Sequence, residues 1–368
     1  MEDLFRLADE FGPSRIVHIH RPSVGLKAIV TIDNTACGVA IGGIRMAADV
    51  SVKECFRLAR AMTWKNAAAG LPHGGGKSVI FGNPRMQAPQ KEQTIRAFAN
   101  AIRDIADYVP GPDMGTDELC MGWIKDEIGR AVGLPAAIGG IPLDQIGATG
   151  FGLVAAIEVA GGFIGLDLKG ARIAVQGFGA VGKHAARFLA QKGAILIAAS
   201  DTSGTLMDRS GLDVLALIAL KDADRPLRDH PQGEKLDADA ILDVDCDIWI
   251  PAARPDVVRA DNVEQLKTRL IAQGANIPCT PEAELALHKR GVLVIPDFIA
   301  NAGGVICAAI EFQGGTERAA FDSIDQRIRT NTGLVIEESR RTGSLPRTAA
   351  VMVAERRLRQ AMQTRRWR

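Results

Sequence analysis

The stretch "ARIAVQGFGAVGKHAARFLAQKGAILIAASD", residues 171–201, constrains the fold of this chain more than any other. An apolar run, Ile173 to Val175, leads into Gly177, Gly179 and Gly182, spaced G-x-G-x-x-G. An amphipathic helical pattern follows, then a second apolar run ending at Asp201. With 39 glycines in 368 residues, the spacing alone would arise by chance. The context makes it specific: a strand before the glycines, a helix opened by them, and an acid closing the next strand. In such a unit the first glycine permits a tight turn, the second lets the backbone approach a pyrophosphate, and the third lets helix and strand pack closely. The helix N-terminus supplies free N–H groups and positive potential for phosphate. A dinucleotide site is therefore expected over Gly177, Phe178, Gly179, Ala180, Val181 and Gly182. Asp201 suits the adenosine ribose hydroxyls of NAD, but the following "TSGT" equally suits the 2′-phosphate of NADP, so both remain open.

Further alternating units, "CDIWIPAA", "LIAQGAN", "PEAELALHKRG" and "VLVIPDF", extend this half into a parallel, doubly wound sheet. The first half has another grammar. Residues 24–45 alternate β-formers around Asp33 and Asn34 and read as a hairpin, so a mixed sheet is expected. Ser51 and Glu54 form a capping box that opens a helix to about Ala68. "QKEQTIRAFANAIRDIADY" and "TDELCMGWIKDEIGRA" read as two more helices, and "MEDLFRLADEFG" as an N-terminal amphipathic one. The expected fold class is α/β: an N-terminal mixed-sheet α/β substrate domain (1–148), a Rossmann-type dinucleotide domain (149–330), and C-terminal helices (331–368) packing back on the first. Val351, Leu358 and Met362 on one face mark the last helix, with the basic flank of "AERRLRQAMQTRRWR" solvated.

Charge and cysteine usage exclude several classes. Lys+Arg 44 against Asp+Glu 43 leaves +1, which offers no field for nucleic acid or an anionic membrane. The six cysteines are scattered without metal spacing, so no metal is expected and the thiols read as reduced and cytoplasmic. No apolar run reaches membrane length.

"LPHGGGKSVI" poses a sharper question, because Gly76, Lys77 and Ser78 fit the end of a phosphate-binding loop. That loop needs a strand before its glycines and a helix after them, whereas here a helix precedes and a strand follows. Lys77 must have another task. Lys65 ends the preceding helix, and Asp113 stands in the loop "PGPDMGTDE". His73 reads as a partly buried structural histidine.

Together, "GGIRM", "MTWKNAAAGLPHGGGKSVI", "GPDMGT", "GATGFG", "VQGFGAVG" and "IPDFIANAGGV" resemble the glutamate/leucine/phenylalanine/valine dehydrogenase family, in family order from about residue 24 to 312. The resemblance implies reversible oxidative deamination of an L-amino acid with NAD or NADP, in a homo-oligomer, hexamer or octamer. It places Lys65 on the substrate α-carboxylate, Lys77 and Asp113 in catalytic roles, and Asn301 at the substrate. Gly42 and Gly111 join the substrate site, and Thr149 and Asn276 the cofactor site. The chemistry suits these types: an iminium must be attacked by water, and a base near neutral pKa must deprotonate that water. A free lysine titrates at about 10.4, but desolvation and a neighbouring cation, for which Lys65 is the candidate, lower it.

The glutamate enzymes of the family carry a lysine before "GG" and a serine three residues after the valine of "NAGGV", both for the side-chain carboxylate. Here those places hold Ile41 and, counted from Val305, Ala308. An unpaired buried carboxylate costs several kcal/mol, whereas burying a leucine-sized side chain gains roughly 1.5–3 kcal/mol. An apolar, branched-chain or aromatic substrate is therefore expected, with Ile41, Val305 and Ala308 in the pocket wall. Glutamate is the alternative, because "SDTSGT" and "GPDMGTDELCMGWIKDE" look more like the glutamate branch. A non-catalytic dinucleotide-binding sensor is an alternative of another class; loss of Lys65, Lys77 or Asp113 would favour it, and all three are present.

Overall fold

The computed structural model describes residues 4–366. The chain divides into two compact units: one holds residues up to Pro142, Val305–Ala320 and Ala354 onward, the other Leu143–Gly304 and Phe321–Val353.

The first unit is built on β1 (Arg15–Arg21), β2 (Leu26–Asn34), β3 (Ala40–Ala47), β4 (Gly74–Phe81) and β5 (Tyr108–Pro112), in the order β1-β2-β4-β3-β5. β2 is antiparallel to β1 and β4, and β3 is parallel to β4 and β5. The expected hairpin at Asp33–Asn34 is therefore not formed. An Asx turn stops β2, with the Asn34 side chain accepting from Ala36 N–H at 2.8 Å, and β4 takes the slot beside it. Glycines let β4 enter: a Cβ on Gly42 would lie 1.7 Å from the Gly76 carbonyl oxygen, and one on Gly75 2.1 Å from Thr63 N. The three glycines read as a loop are strand residues.

Two helices, α2 (Ala88–Ala101) and α3 (Glu118–Ile128), cover one face of this sheet, where Ile44, Ile80 and Tyr108 meet Phe98 and Met121. The other face carries α1 (Val52–Ala68), whose Cys55 packs with Ile29 and Val79. Period-two alternation along β4 puts Gly75 and Lys77 on that same face as Val79. Ser51 caps α1 by accepting from Glu54 N–H at 3.1 Å, a contact that contributes about 1 kcal/mol. The expected N-terminal helix is reduced to a 3₁₀ turn, Leu4–Leu7, because Asp9 bonds Phe11 N–H at 2.9 Å and Gly12-Pro13 follows. Residues 1–3 of that expected helix lie outside the described residues.

The second unit begins with α4 (Leu143–Ile146) and α5 (Ala148–Ile164). Next come β6 (Arg172–Gln176), α6 (Ala180–Gln191), β7 (Ile195–Asp201), β8 (Gly204–Met207), α7 (Val214–Asp222) and β9 (Glu234–Leu236). They are followed by β10 (Ile248–Pro251), β11 (Leu270–Ala272), α8 (Pro281–Lys289), β12 (Leu293–Ile295) and α9 (Asp297–Ala300). The sheet order is β12-β11-β10-β6-β7-β8-β9. β6, β7, β10, β11 and β12 are parallel, with the order reversing between β6 and β10. β8 and β9 form an antiparallel edge. Only Thr202 and Ser203 separate β7 from β8, and so short a link cannot make a parallel crossover.

The chain returns to the first unit within α10 (Gly303–Phe312), then continues as α11 (Glu317–Thr342) and α12 (Pro346–Gln363). Residue 330 lies inside α11, so no break occurs at 330/331. Arg329 pairs with Glu158 of α5, and Arg340 donates to the Phe163 carbonyl at 2.7 Å, which keeps α11 with the second unit. The end of α12 counts with the first: Leu358 is buried, and Arg357 donates to the carbonyls of Ala67 and Leu71 at 3.0 and 2.9 Å. Among the described residues, no helix is long and apolar enough to cross a membrane.

Candidate active site

In the first unit the ends of three strands bring charge together. Lys77 on β4 is buried, 6% exposed, and its Nζ lies 2.6 Å from Asp113 Oδ2, just past β5. Arg45 on β3 reaches the same oxygen through Nε at 3.2 Å, and its NH1 lies 2.7 Å from Glu54 on α1. A Cβ on Gly43 would fall 3.1 Å from Lys77 Nζ and 2.8 Å from Asp113 Cβ, so only glycine leaves the pair this close. Thr116 holds the loop: its hydroxyl accepts from Asp113 N–H at 3.0 Å and donates to the Ile44 carbonyl at 2.8 Å. Burial pushes the Asp113 carboxyl up, but the charge and hydrogen bond of Lys77 and the charge of Arg45 outweigh it and hold the group below its ordinary value. Lys65 stands half-buried in the last turn of α1.

An apolar wall lies on the same strands. Ile41, Val109, Val132 and Ala308 form one buried cluster, with Val39 packed against it. Gly111 belongs to the strand that carries Val109, and a Cβ on it would touch Val132 at 3.0 Å. Val305 is half-buried one turn before Ala308 on α10, outside the cluster. Gly42 is packed against the β4 backbone. Glu311 fixes α10 to the loop beyond Val132, accepting from Leu134 N–H at 3.2 Å and Ile141 N–H at 2.7 Å. His73 is 4% exposed with its ring edge-on to Phe312 at 5.8 Å. Burial holds its pKa down, the nearby Val39 carbonyl opposing this only in part. Arg45, Val109, Val132 and Glu311 were not among the residues singled out in the sequence. Alternation from Ile41 through Gly43 would have found Arg45.

In the second unit the three glycines differ as a dinucleotide turn requires. Gly177 has φ +92° and a Cβ there would strike Ala253 at 2.7 Å. A Cβ on Gly182 would lie 2.0 Å from the Gly177 carbonyl oxygen. Gly179 has nothing within 4 Å of that position, which leaves its backbone open to a ligand. No side chain caps α6, so the N–H groups at Ala180 and Val181 are left for an anion. Phe178 turns into the core, 1% exposed, and gives its N–H to the Ser200 carbonyl.

Asp201 is placed at the end of β7, but both of its oxygens are engaged. Oδ1 accepts from Ser203 N–H at 2.8 Å and its hydroxyl at 2.6 Å, and Oδ2 accepts from Lys221 Nζ and Leu227 N–H, both at 3.0 Å. Asn301 is 5% exposed and donates to the Gly274 carbonyl at 3.2 Å and to Asn276 Oδ1 at 3.0 Å. Its own Oδ1 is buried without a hydrogen bond among the described residues. Such an orphan acceptor, in the same unit as the open glycine turn, fits a nicotinamide dinucleotide. Thr149 is half-buried on α5, 3.1 Å from the Cβ position of Gly304. Arg347 of α12 anchors the segment before Asn301, at 2.8 Å from both Glu284 and Asp297. No group of histidine, cysteine or acidic side chains among the described residues could hold a metal ion.

Comparison with known proteins converges on one family. The dimerisation domain of Glu/Leu/Phe/Val dehydrogenases matches residues 13–130, and the Glutamate/Leucine/Phenylalanine/Valine dehydrogenase domain matches residues 139–366. The glutamate dehydrogenase of Aeropyrum pernix is 37% identical over 358 residues, covering 91% of this chain and 85% of that one. The NADP(+)-dependent glutamate dehydrogenase of Pyrobaculum calidifontis is 37% identical over 399 residues, covering 100% and 94%. Among solved structures, the hetero-hexameric glutamate dehydrogenase of Thermus thermophilus in its Leu-bound form superposes with a TM-score of 0.86, at 27% identity over 95% of this chain and 89% of that one. The L-tryptophan dehydrogenase of Nostoc punctiforme superposes with 0.77, at 26% identity over 98% and 100%. Two family domains in order, with the glycine turn and the Lys77–Asp113 pair where the motifs put them, identify this chain as a member of the Glu/Leu/Phe/Val dehydrogenase family.

Proposed function

We propose that the protein catalyses reversible oxidative deamination of an L-amino acid with an apolar side chain: amino acid, NAD or NADP and water give 2-oxo acid, ammonium and the reduced dinucleotide. The observation that carries the substrate class is the buried apolar cluster of Ile41, Val109, Val132 and Ala308. Gly177–Gly182, with Thr149, Asn276 and Asp201, would hold a nicotinamide dinucleotide, which would supply the hydride acceptor. Every other step belongs to side chains. Lys65 holds the α-carboxylate, and Asn301 offers its free Oδ1 to the bound ligands. Asp113 takes a proton from the substrate amine before hydride leaves. The neutral amine of Lys77 then takes a proton from the water that attacks the imine carbon. As the C–N bond of the resulting carbinolamine breaks, Asp113 returns its proton to the nitrogen. The hydroxyl proton passes to the departing ammonia to give ammonium, and Lys77 releases its proton to solvent. The glycines of β4 serve close packing, which keeps Lys77 buried.

A second reading, glutamate dehydrogenase, is favoured by the names of the curated relatives. Purified protein assayed against the twenty L-amino acids, with NAD+ and NADP+ in parallel, separates the two. Turnover of branched or aromatic substrates supports the first, and turnover of glutamate alone the second. The absence of any turnover would support a dinucleotide-binding sensor instead. A cytoplasmic homo-oligomer, hexamer or octamer, belongs to the same reading, and sedimentation of the purified chain tests the assembly.

A further inference from the structure

We propose that Arg45 is a positioning residue for the proton chemistry of this site: it selects which oxygen of Asp113 faces the substrate amine and keeps a permanent cation beside that carboxylate. The proposal rests on the reading of Lys77 and Asp113 as the proton-handling pair. Its basis is that both cations bind one oxygen. Lys77 Nζ and Arg45 Nε lie 2.6 and 3.2 Å from Asp113 Oδ2, and the Met114 N–H also bonds the carboxyl. With both cations on Oδ2, Oδ1 is the oxygen they leave to the substrate. Arg45 is itself held, because the other arm of its planar fork pairs with Glu54 at 2.7 Å, in the first turn of α1. The strand thereby passes the orientation of a capped helix to the carboxylate.

The second part follows from charge. Lys77 can act on water only as the neutral amine, and in that state it no longer stabilises the Asp113 anion. A guanidinium keeps its protons throughout, so Arg45 maintains the carboxylate as an anion ready to accept from substrate when Lys77 has become neutral. No bond or proton balance changes, since Arg45 donates and receives nothing. The titratable neighbours are few. Lys77 faces Asp113 from β4, Arg45 from β3 with Glu54 behind it on α1, where Lys65 also lies. Burial pushes the Cys55 thiol up to about 11 and the Tyr108 phenol higher still, so neither titrates in the working range.

The test compares Arg45→Gln, Arg45→Met, Arg45→Lys and Glu54→Gln with the parent chain, measuring kcat and kcat/KM against pH on the amino acid found in the substrate screen. Asp113 must be ionised to accept a proton, as Lys77 must be neutral, so both shape the acid limb and infrared titration isolates Asp113. Removing a cation raises the Asp113 pKa, and the acid limb moves to higher pH. For Arg45→Gln or Arg45→Met, whichever folds, the expected shift is about one unit or more. Arg45→Lys keeps the limb near the parent position but lowers kcat, because an ammonium cannot bridge two carboxylates in one fork. Glu54→Gln likewise leaves the limb in place and lowers kcat. An unmoved limb in the Gln and Met variants, or a Lys variant displaced as far as they are, overturns the proposal. Difference infrared titration of the Asp113 carboxyl, with Asp113→Asn as the blank, reads the same shift without turnover. A chain inactive on all twenty amino acids but showing that shift would refute the proposed function and leave the role of Arg45 standing.

Discussion

Lys77 shows what one residue can and cannot disclose before the fold is known. Its glycine neighbours and the failed phosphate-loop context singled it out, and its partner Asp113 stood in a recognisable Pro/Gly loop. Its real surroundings depend on strand order: Arg45 joins the Lys77–Asp113 pair because β3 lies between β4 and β5. If Lys77 supplies the base, Lys77→Ala loses about 10²–10⁴-fold or more in kcat, while dinucleotide binding, measured by fluorescence or calorimetry, stays near the parent value. Near-normal turnover would remove Lys77 from the mechanism. Ile41, 4% exposed, sits in a cluster of apolar side chains. Ile41→Lys therefore raises kcat/KM for glutamate relative to leucine, and an unchanged ratio would remove Ile41 from the pocket. Asp201 was legible as the acid closing the second strand, but its bond to Lys221 was not, since Lys221 is twenty residues away. With Lys221→Ala the carboxylate has one partner fewer and can turn to ribose hydroxyls. The expected outcome is a several-fold rise in kcat/KM with NAD+ relative to NADP+, checked by assaying both cofactors.

Elements were easier to locate than to arrange. The capping box at Ser51, the helix beginning after Gly179 and the strand ending at Asp201 were readable because each is written in neighbouring residues. The hairpin at Asp33–Asn34 was misread for the complementary reason. Alternation reports that two strands exist, and nothing local says that a third, forty residues on, will enter between them. The glycines carried that information in a form the sequence did not decode: Gly75 is bare because Thr63 of α1 lies against it. A Cβ at Gly75 would fall 2.2 Å from Thr63 Oγ1 and 2.1 Å from its backbone nitrogen. Gly75→Ala must push α1 off the strand, which costs about 1–3 kcal/mol and displaces Lys65 and Lys77 relative to each other. Thermal melts and kcat should fall together, whereas a stable but inactive variant would point to a direct role for Gly75 at the substrate.

At the scale of the whole molecule, the least legible feature was how the C-terminal residues divide. Expectation put everything after 330 back on the first domain; the charges decide otherwise, because Arg329 and Arg340 bond to α5 while Arg357 and Arg359 bond to groups of the first unit. Pairings more than 160 residues apart leave no trace in local pattern. They do predict what truncation after Val353 would do. The lost segment carries Leu358, 1% exposed, and burying a leucine of this kind contributes roughly 2–5 kcal/mol. It also carries the Arg357 bonds to the carbonyls of Ala67 and Leu71, which tie down the end of α1 just after Lys65. Asn301, Arg347 and the glycine turn all remain. The shortened chain should therefore bind dinucleotide with near-parent affinity, exchange amide hydrogens faster in α1 and β4 than in β6 and α6, and lose most of its turnover. Equal protection in both units, or full activity, would mean that the last fifteen residues do not hold the Lys65–Lys77 segment in place.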